Sequence, residues 1–376
     1  MKLKWPQGLT CLLILCILFG YLGSVMGAAN LMNTVMHTAH DLLLNTVFFL
    51  MAVCVLTGAI GKIMIEFGVV NLLGAILRPL MKPVFNLPGR AALGGILTFL
   101  SDNPAIITLA RDKRFAGHFK KYQFISLTNF GTAFGMGLLV VVFMLAQGFT
   151  YEPLMGFFGA ICGCVLSTRL MQRFVLKKYP QYKDEPAYPP MAEETDTKEE
   201  GNKKSTFLRI LDALLDGGKN GVEIGLSIIP GVLIISTLVM ILTFGPSADG
   251  TYTGAAYEGT ELLPMAFSHI NFLFEWLFGF NDPHLMAFPI TSLGAVGAAL
   301  GIVPNFVEQG WMNGNAIAVC TAIGMCWSGF LSTHTAMLDT LGYRELTGKA
   351  ILAHTLGGIL AGISAHWAYV LISMII

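Results

Sequence analysis

Apolar stretches of about 20 residues alternate with short polar stretches along most of this chain. A helix of that length spans the hydrocarbon core of a bilayer, because each residue adds ~1.5 Å and the core is about 30 Å thick. Such stretches cover residues 9–26, 42–65, 124–147, 154–174, 222–244, 284–303, 316–341 and 351–375. The pattern predicts an all-α polytopic membrane protein.

Two polar interruptions within apolar stretches predict broken helices. Residues 91–110 are split at positions 101–104 by the sequence SDNP, and residues 316–341 carry the polar run STHT at positions 332–335. A stretch of about 20 residues cannot cross a bilayer twice. With basic residues on both of its flanks, the first stretch is therefore expected to form a re-entrant hairpin that turns near Asp102. A weaker break is indicated near residues 281–292.

The same order of features is found on both sides of a polar, charged segment, which predicts two repeats joined by a flexible linker. In each half, a long span and an amphipathic stretch precede the interrupted stretch, and a Gly-rich helix follows it. The predicted divisions are residues 1–29 as a signal peptide or a first transmembrane helix, residues 40–174 as the first membrane repeat, residues 175–219 as a charged cytoplasmic linker, and residues 220–376 as the second membrane repeat.

Composition and net charge support a membrane protein. The chain is 54% hydrophobic and 12% charged, whereas soluble domains carry about 25% charged residues. The formal net charge is +0, so no overall field favours nucleic acid as a partner. The expected partners are a small solute, H⁺ or Na⁺, and the lipid bilayer; a homo-oligomer is left open.

The distribution of basic residues predicts the orientation of the two repeats. Of the 23 Lys and Arg residues, all but Arg344 and Lys349 lie at or before Lys219. Short loops rich in Lys and Arg remain cytoplasmic, so both flanks of residues 91–110 are expected on that face. After three further crossings, the loops that flank the second interrupted stretch are expected on the outer face. Opposed orientations of this kind predict inverted-topology repeats.

Polar side chains near these interruptions are the candidates for a binding site. A central Asp facing lipid costs about 2.5–3.5 kcal/mol on insertion scales, so Asp102 is expected to face the protein interior. His334 is the side chain of the second run that titrates nearest neutral pH. The alternative is structural: helix caps around a kink, an internally bonded histidine, and close glycine packing beside Asn129. The candidate substrate- or ion-binding residues are Ser101, Asp102, Asn103, Thr128, Asn129, Ser332, Thr333, His334, Thr335 and Asp339.

Signatures of enzymes and of resident cofactors are lacking in the sequence. There is no GxxxxGK[ST], GxSxG or HExxH motif, which are the patterns of phosphate loops, serine hydrolases and zinc peptidases. The seven cysteines all lie in apolar segments without a CxxC array, and such cysteines are small apolar helix residues in most cases. We therefore expect no enzyme activity, no cofactor and no metal.

The stretch from Asn86-Leu87-Pro88-Gly89-Arg90, through SDNP and Ala105, to Asn129-Phe130-Gly131-Thr132 resembles the nucleoside-recognition Gate-domain family. Relatives of that family are YjiH-like membrane proteins, spore maturation proteins, the membrane domain of the ferrous-iron transporter and, more distantly, the concentrative nucleoside transporters. The resemblance is strong over residues 45–146 and weak over residues 221–369. It implies paired re-entrant segments that meet at mid-membrane around a substrate, in a multi-pass protein of the bacterial cytoplasmic membrane.

Two functions follow from these observations. The first is ion-coupled secondary transport of a small polar solute, with a nucleoside-like solute as one option, through a site lined by Asp102, Asn103 and His334. The second is a non-transporting scaffold or signalling component of the spore-maturation type, in which residues 177–204 would be a docking segment. A membrane-embedded enzyme is a weaker third reading, because no nucleophile–base pair is recognisable.

Overall fold

The computed structural model describes residues 5–188 and 205–375, mostly as helices. The acidic centre of the predicted linker, residues 189–204, lies outside the described residues. The helices before it are α1 (Trp5–Met26), α2 (Ala28–Asp41), α3 (Phe48–Glu66), α4 (Val69–Leu80), α5 (Ala91–Leu100), α6 (Pro104–Arg111), α7 (Lys113–Ala116), α8 (Lys121–Thr132), α9 (Gly137–Ala146) and α10 (Glu152–Lys178). We refer to this part as the first membrane unit.

The second membrane unit follows the linker. Its helices are α11 (Thr206–Gly231), α12 (Thr237–Thr243), α13 (Leu262–Ser268), α14 (Asn271–Phe278), α15 (Ala287–Gly294), α16 (Val296–Glu308), α17 (Gly314–Cys326), α18 (Phe330–Thr340) and α19 (Thr347–Ser373). Turns of π-helix at Leu42–Val47 and Val232–Ser236 join α2 to α3 and α11 to α12, and a third at Met81–Phe85 extends α4. Short 3₁₀ turns occupy Pro180–Lys183, Pro283–Met286 and Arg344–Leu346.

Seven helical stretches of the described residues are long and apolar enough to cross a membrane, and they confirm the all-α membrane class. They are Trp5–Met26, Ala28–Glu66, Lys121–Ala146, Glu152–Lys178, Thr206–Thr243, Gly314–Thr340 and Arg344–Ser373. Large apolar side chains on their outer faces, such as Leu56 and Phe158, are more than half exposed. Such surfaces are stable when lipid covers them.

Glycines bring the long helices into unusually close contact. A Cβ built on Gly217 of α11 would lie 2.4 Å from the Gly58 carbonyl oxygen of α3, and one on Gly163 of α10 would lie 2.4 Å from the Gly357 oxygen of α19. Within lipid, where apolar burial gives little advantage, small residues allow helix backbones to approach and gain van der Waals contact. The backbones of α3 and α11, and those of α10 and α19, are therefore in direct contact.

Helices extend into the predicted linker from both sides. Helix α10 ends at Lys178, and α11 begins at Thr206, where the Ser205 hydroxyl caps the Leu208 amide. The part of the linker that follows α10 folds back against the start of α8, since the Ala187 amide donates to the Phe119 oxygen at 2.9 Å. The described linker residues that follow α10 therefore pack against the first membrane unit beside the start of α8.

Candidate functional site

The first predicted break is present as a hairpin of two short helices. Helices α5 and α6 contain ten and eight residues, so at ~1.5 Å per residue neither can span a core of about 30 Å. Their packing is tight, because a Cβ on Gly94 would lie 2.4 Å from Ile106 Cδ1. At the turn, Ser101 Oγ donates to the Leu97 oxygen at 2.6 Å, and Asp102 Oδ1 accepts the Asn103 amide at 2.7 Å.

Asn103 extends from this hairpin to two other helix breaks. Its Nδ2 donates at 2.8 Å to the carbonyl oxygen of Ser328, which lies between α17 and α18. Its Oδ1 lies against Gly135, between α8 and α9, where a Cβ would be only 1.6 Å away. The side chain is 3% exposed, and Oδ1 has no hydrogen-bond partner among the described residues. A buried amide with one free acceptor is costly and is suited to receive a ligand donor.

A second hairpin is formed by α15 and α16. The sequence analysis paired residues 91–110 with residues 316–341 as the two interrupted stretches, and that pairing is wrong. The break of the second hairpin at Gly294 and Ala295 contacts the α17–α18 break, because the Gly329 amide donates to the Ser292 oxygen at 3.2 Å. A Cβ on Gly329 would also lie 3.2 Å from the Gly294 oxygen. Four helix breaks therefore meet, two from hairpins and two from broken spans. We call this region the break junction: residues 101–103, 133–136, 294–295 and 327–329.

The run Ser332-Thr333-His334-Thr335 does not break a helix, contrary to the sequence-based expectation. It lies within α18, and the break precedes it at residues 327–329. Hydroxyl groups explain the difference, since Thr333 Oγ1 donates to the Gly329 oxygen at 2.9 Å and Thr335 Oγ1 to the Leu331 oxygen at 3.0 Å. Ser and Thr that bond the preceding turn in this way are accommodated inside helices.

The two broken spans, α8–α9 and α17–α18, have similar backbone conformations at their breaks. Met136 (φ +55°) and Gly329 (φ +61°) are the left-handed residues that precede α9 and α18 respectively. Left-handed backbone is costly for a residue with a side chain, and Met136 adopts it where α9 resumes. The broken spans α8–α9 and α17–α18 therefore share a left-handed break, whereas Ser101 at the break within residues 91–110 has a φ of −133°.

The loop after α18 lies on the face of the basic loops, so its predicted outward orientation is also wrong. Tyr179 Oη, at the end of α10, donates to Glu345 Oε1 at 2.8 Å, and the Tyr343 and Tyr182 rings lie 6.3 Å apart. Arg344 and Lys349 therefore share the face on which Lys121 pairs with Glu185. The flanks of the α15–α16 hairpin, residues 279–283 and 309–313, contain no Lys or Arg.

Thr128 and Asn129 belong to a second buried cluster rather than to the break junction. Asn129 Nδ2 donates to Ser167 Oγ at 2.9 Å and to the Ala350 oxygen at 3.0 Å. Ser167 Oγ in turn lies 2.9 Å from His354 Nδ1, and His354 Nε2 bonds the Cys326 oxygen. The His334 ring lies 4.7 Å from that of His354, between centroids. We call Thr128, Asn129, Ser167, His354 and His334 the histidine cluster.

The remaining candidates lie toward the basic face. Ser332 and Thr333 line an open groove of about 380 Å³ between α6 and α18, together with Arg111. Asp339 is exposed and lies 3.8 Å from Arg344, a surface pair of little energetic weight. Thr335 lines neither this groove nor the break junction. The structure thus divides the ten predicted residues among two buried clusters, one groove and the surface.

A large cavity of about 1090 Å³, which the sequence analysis did not predict, lies on the face opposite the basic loops. Both ends of the α15–α16 hairpin line it, with Phe244 and Trp311. Its carboxylates are Asp41, Glu258, Glu261 and Glu308, and no described Lys or Arg lines it. Burial opposes ionisation of Glu258, but hydrogen bonds from Thr253 and Gly254 lower its pKa below the ordinary value. The sequence feature that could have indicated this cavity is the segment 245–261, which contains acidic residues and no basic ones.

Residues 52–148 match the family model described as Gate, nucleoside recognition. This segment is a Gate domain. It contains the α5–α6 hairpin and the broken span α8–α9, and so it supplies Asn103 and Gly135 to the break junction. An uncharacterized protein of Alkalihalophilus pseudofirmus is 25% identical over 97 residues, which are 26% of this chain and 21% of that relative. The alignment thus spans about a fifth of the relative's length.

Solved structures extend the likeness from the Gate domain to most of the chain. CNTnw in an inward-facing substrate-bound state aligns with a TM-score of 0.51 and 12% identity, over 97% of this chain and 86% of that one. An outward-facing CNTnw variant aligns with a TM-score of 0.49 and 12% identity, over 87% and 79%. The inward-facing structure shows a shared fold. The chain is thus a multi-pass membrane protein that contains a Gate segment and shares the fold of the inward-facing structure.

Proposed function

We propose that this protein is an ion-coupled secondary transporter of a small polar solute of the nucleoside class, and that the solute binds at the break junction. The observation that carries the proposal is Asn103: a buried side chain that bonds Ser328 across the junction and keeps a free acceptor. Broken helices at mid-membrane are where secondary transporters bind substrates and coupling ions, because the helix ends expose backbone donors and acceptors.

The solute class follows from the relatives and from the chemistry of the junction. The matched family is described by nucleoside recognition, and the sequence resembles, more distantly, the concentrative nucleoside transporters. Ribose hydroxyls and base N–H groups could donate hydrogen bonds to the free Asn103 Oδ1. They could also donate to the Ser328 oxygen, which has a second lone pair. Exclusion of water from the buried junction would strengthen each such bond.

The two hairpins offer a route for the solute to the break junction from either face. The 380 Å³ groove on the basic face includes Thr333, one helical turn beyond the break at Gly329. On the other face, both ends of the α15–α16 hairpin line the 1090 Å³ cavity. One hairpin approaches the junction from each face, so movement of either could open the junction to that side while the other keeps it closed.

Uptake into proteoliposomes tests this function. Purified protein would be assayed with radiolabelled uridine and adenosine, first by counterflow, then with an imposed pH or Na⁺ gradient. We expect Asn103→Ala to abolish counterflow, because it removes the bond to Ser328 and the free acceptor together. Asp102→Ala is expected to reduce it, since Asp102 Oδ1 accepts the Asn103 amide.

Asn315→Ala is the matched control for a buried asparagine. Asn315 is 7% exposed and bonds the Phe278 and Gly279 oxygens at the start of α17, away from the junction. It should lose stability but retain counterflow. Counterflow in Asn103→Ala equal to that of the wild type would refute the assigned site. No counterflow of any nucleoside by stable wild-type protein would favour the scaffold alternative.

A further inference from the structure

We propose that His334 binds the coupling proton, through its Nε2 atom. The proposal deepens the transport function given above and rests on it. The decisive feature is the difference between two histidine rings that touch inside the histidine cluster, one with both nitrogens engaged and one with a nitrogen left free.

Hydrogen-bond partners fix the tautomer of neutral His334. Its Nδ1 lies 3.0 Å from the Phe330 carbonyl oxygen, which can only accept, so Nδ1 carries the hydrogen. The Nε2 atom then carries a bare lone pair. The side chain is completely buried, and Nε2 has no hydrogen-bond partner among the described residues. Buried polar atoms are rarely left unpaired, and such an exception calls for a functional explanation.

His354 is satisfied in its neutral form and leaves no vacancy. Its Nε2 faces the Cys326 carbonyl oxygen and must donate, so Nδ1 is the acceptor. Ser167 Oγ donates to that Nδ1 at 2.9 Å while accepting from Asn129 Nδ2. Every polar hydrogen of this chain of bonds is therefore placed. A proton arriving at the pair finds its open acceptor on His334.

Few other ionisable groups lie near His334. The helices packed against α18 are α19, α8, α15 and α6, and α15 carries no ionisable side chain. Of the ionisable groups on those helices, on the turn Arg344–Leu346 and on α18 itself, only His354 is in ring contact with His334. The others are Lys349, His366, Tyr369, Lys121, Tyr122, Arg111, Arg344, Glu345 and Asp339. Among the described residues, no carboxylate is bonded to the His334 ring to stabilise an imidazolium.

The position of His334 links protonation to the break junction. It lies five residues after Gly329 on α18, and its partner His354 holds the Cys326 oxygen at the end of α17. Asn103 holds the Ser328 oxygen, two residues further along the same break. An imidazolium against a buried, neutral His354 is costly unless it gains water or a partner. Protonation is therefore expected to favour a state in which α18 has moved and the junction is open.

A spectroscopic measurement tests the proton site without any solute. Protein with ¹⁵N-labelled histidine would be examined by solid-state NMR in liposomes from pH 8 to pH 5. We expect the signal of one ring to change from the neutral Nδ1–H tautomer to imidazolium. That signal should be absent from the spectrum of His334→Asn. The ring of His354 should remain the Nε2–H tautomer. A His334 ring that stays neutral throughout, or a His354 ring that titrates in its place, would overturn the proposal.

The asparagine substitution is chosen because its amide can replace Nδ1 as donor to Phe330 while removing only Nε2. With acid outside, wild-type vesicles should accumulate uridine above equilibrium, whereas His334→Asn should lose at least tenfold of this accumulation, and its counterflow should no longer change between pH 8 and pH 5. His366→Asn, a half-buried histidine bonded to Asn315 Oδ1 at 2.8 Å, is the control and should accumulate normally. Accumulation driven by Na⁺ alone and unchanged in His334→Asn would contradict the proposal. Absence of wild-type counterflow would instead refute the transport function, and the NMR result would still decide the proton site.

Discussion

Gly135→Ala is the substitution that examines the break junction most sharply. A Cβ at this position would lie 1.6 Å from Asn103 Oδ1 and 2.5 Å from Cγ, far inside van der Waals contact. Because Gly135 and Asn103 both lie in the interior of the junction, the added methyl group must displace the asparagine. We expect the bond from Asn103 Nδ2 to the Ser328 oxygen to break.

The expected loss of stability follows from two contributions. An overpacked interior costs about 1–3 kcal/mol, and a buried amide that loses its partner costs about 1–3 kcal/mol more. The free energy of unfolding should therefore fall by roughly 2–6 kcal/mol. Gly348→Ala is the control, since no atom lies within 4 Å of a Cβ there, and alanine in a helix is better than glycine by up to about 1 kcal/mol.

Thermal unfolding in detergent and a double-mutant cycle with Asn103→Ala provide the assay. Once Asn103 is truncated, the methyl group has no Oδ1 or amide to displace, so Gly135→Ala should cost clearly less in that background. Counterflow of uridine should be lost in Gly135→Ala and retained in Gly348→Ala. The reasoning is refuted if Gly135→Ala is as stable as Gly348→Ala, or if the two junction substitutions are additive.

Two further outcomes are expected elsewhere in the molecule. Gly217→Leu should separate α3 from α11, because even a Cβ would lie 2.4 Å from the Gly58 oxygen; a folded yield equal to that of the wild type, measured by size-exclusion chromatography, would contradict this packing. Glu258 has a lowered pKa in the folded loop, so the stabilisation it gives is present above the ordinary glutamate pKa and is lost as the pH falls through the folded value. Hydrogen exchange of the Thr253 and Gly254 amides should accelerate on acidification in the wild type, after correction for intrinsic rates. It should be fast at every pH in Glu258→Ala, which removes both acceptor oxygens; an unchanged pH dependence in that variant would contradict the role of the carboxylate.

The sequence predicted the first hairpin and seven of its eight spans, which are present among the described residues, because these features depend on local composition. The eighth stretch, residues 284–303, was expected to span but lies in the α15–α16 hairpin. Length and hydropathy suffice to identify a helix that crosses lipid, and polar residues at 101–103 followed by Pro104 mark the end of α5. The second hairpin was indicated only as a weaker break near residues 281–292, because its turn, at Gly294 and Ala295, contains no polar side chain. It is held instead by the Gly329 amide on the Ser292 oxygen, a contact between distant segments that local patterns do not reveal.

The burial of two candidate residues could be predicted, but their hydrogen-bond partners could not. Asn103 and His334 were selected because polar groups are costly inside a membrane segment, and both are buried, while their role in binding stays a prediction. Their partners were not predicted, since Asn103 bonds a backbone oxygen and His334 faces another histidine 20 residues along the chain. The hydroxyl run at 332–335 was misread because Ser and Thr can satisfy their own helix.

The most direct measurement is a cryo-electron-microscopy structure of the full chain in lipid nanodiscs with saturating uridine. The account predicts solute density at the break junction, with a donor of the ligand within hydrogen-bond distance of Asn103 Oδ1. Solute confined to the 1090 Å³ cavity of the opposite face, with Asn103 still packed against Gly135, would contradict it.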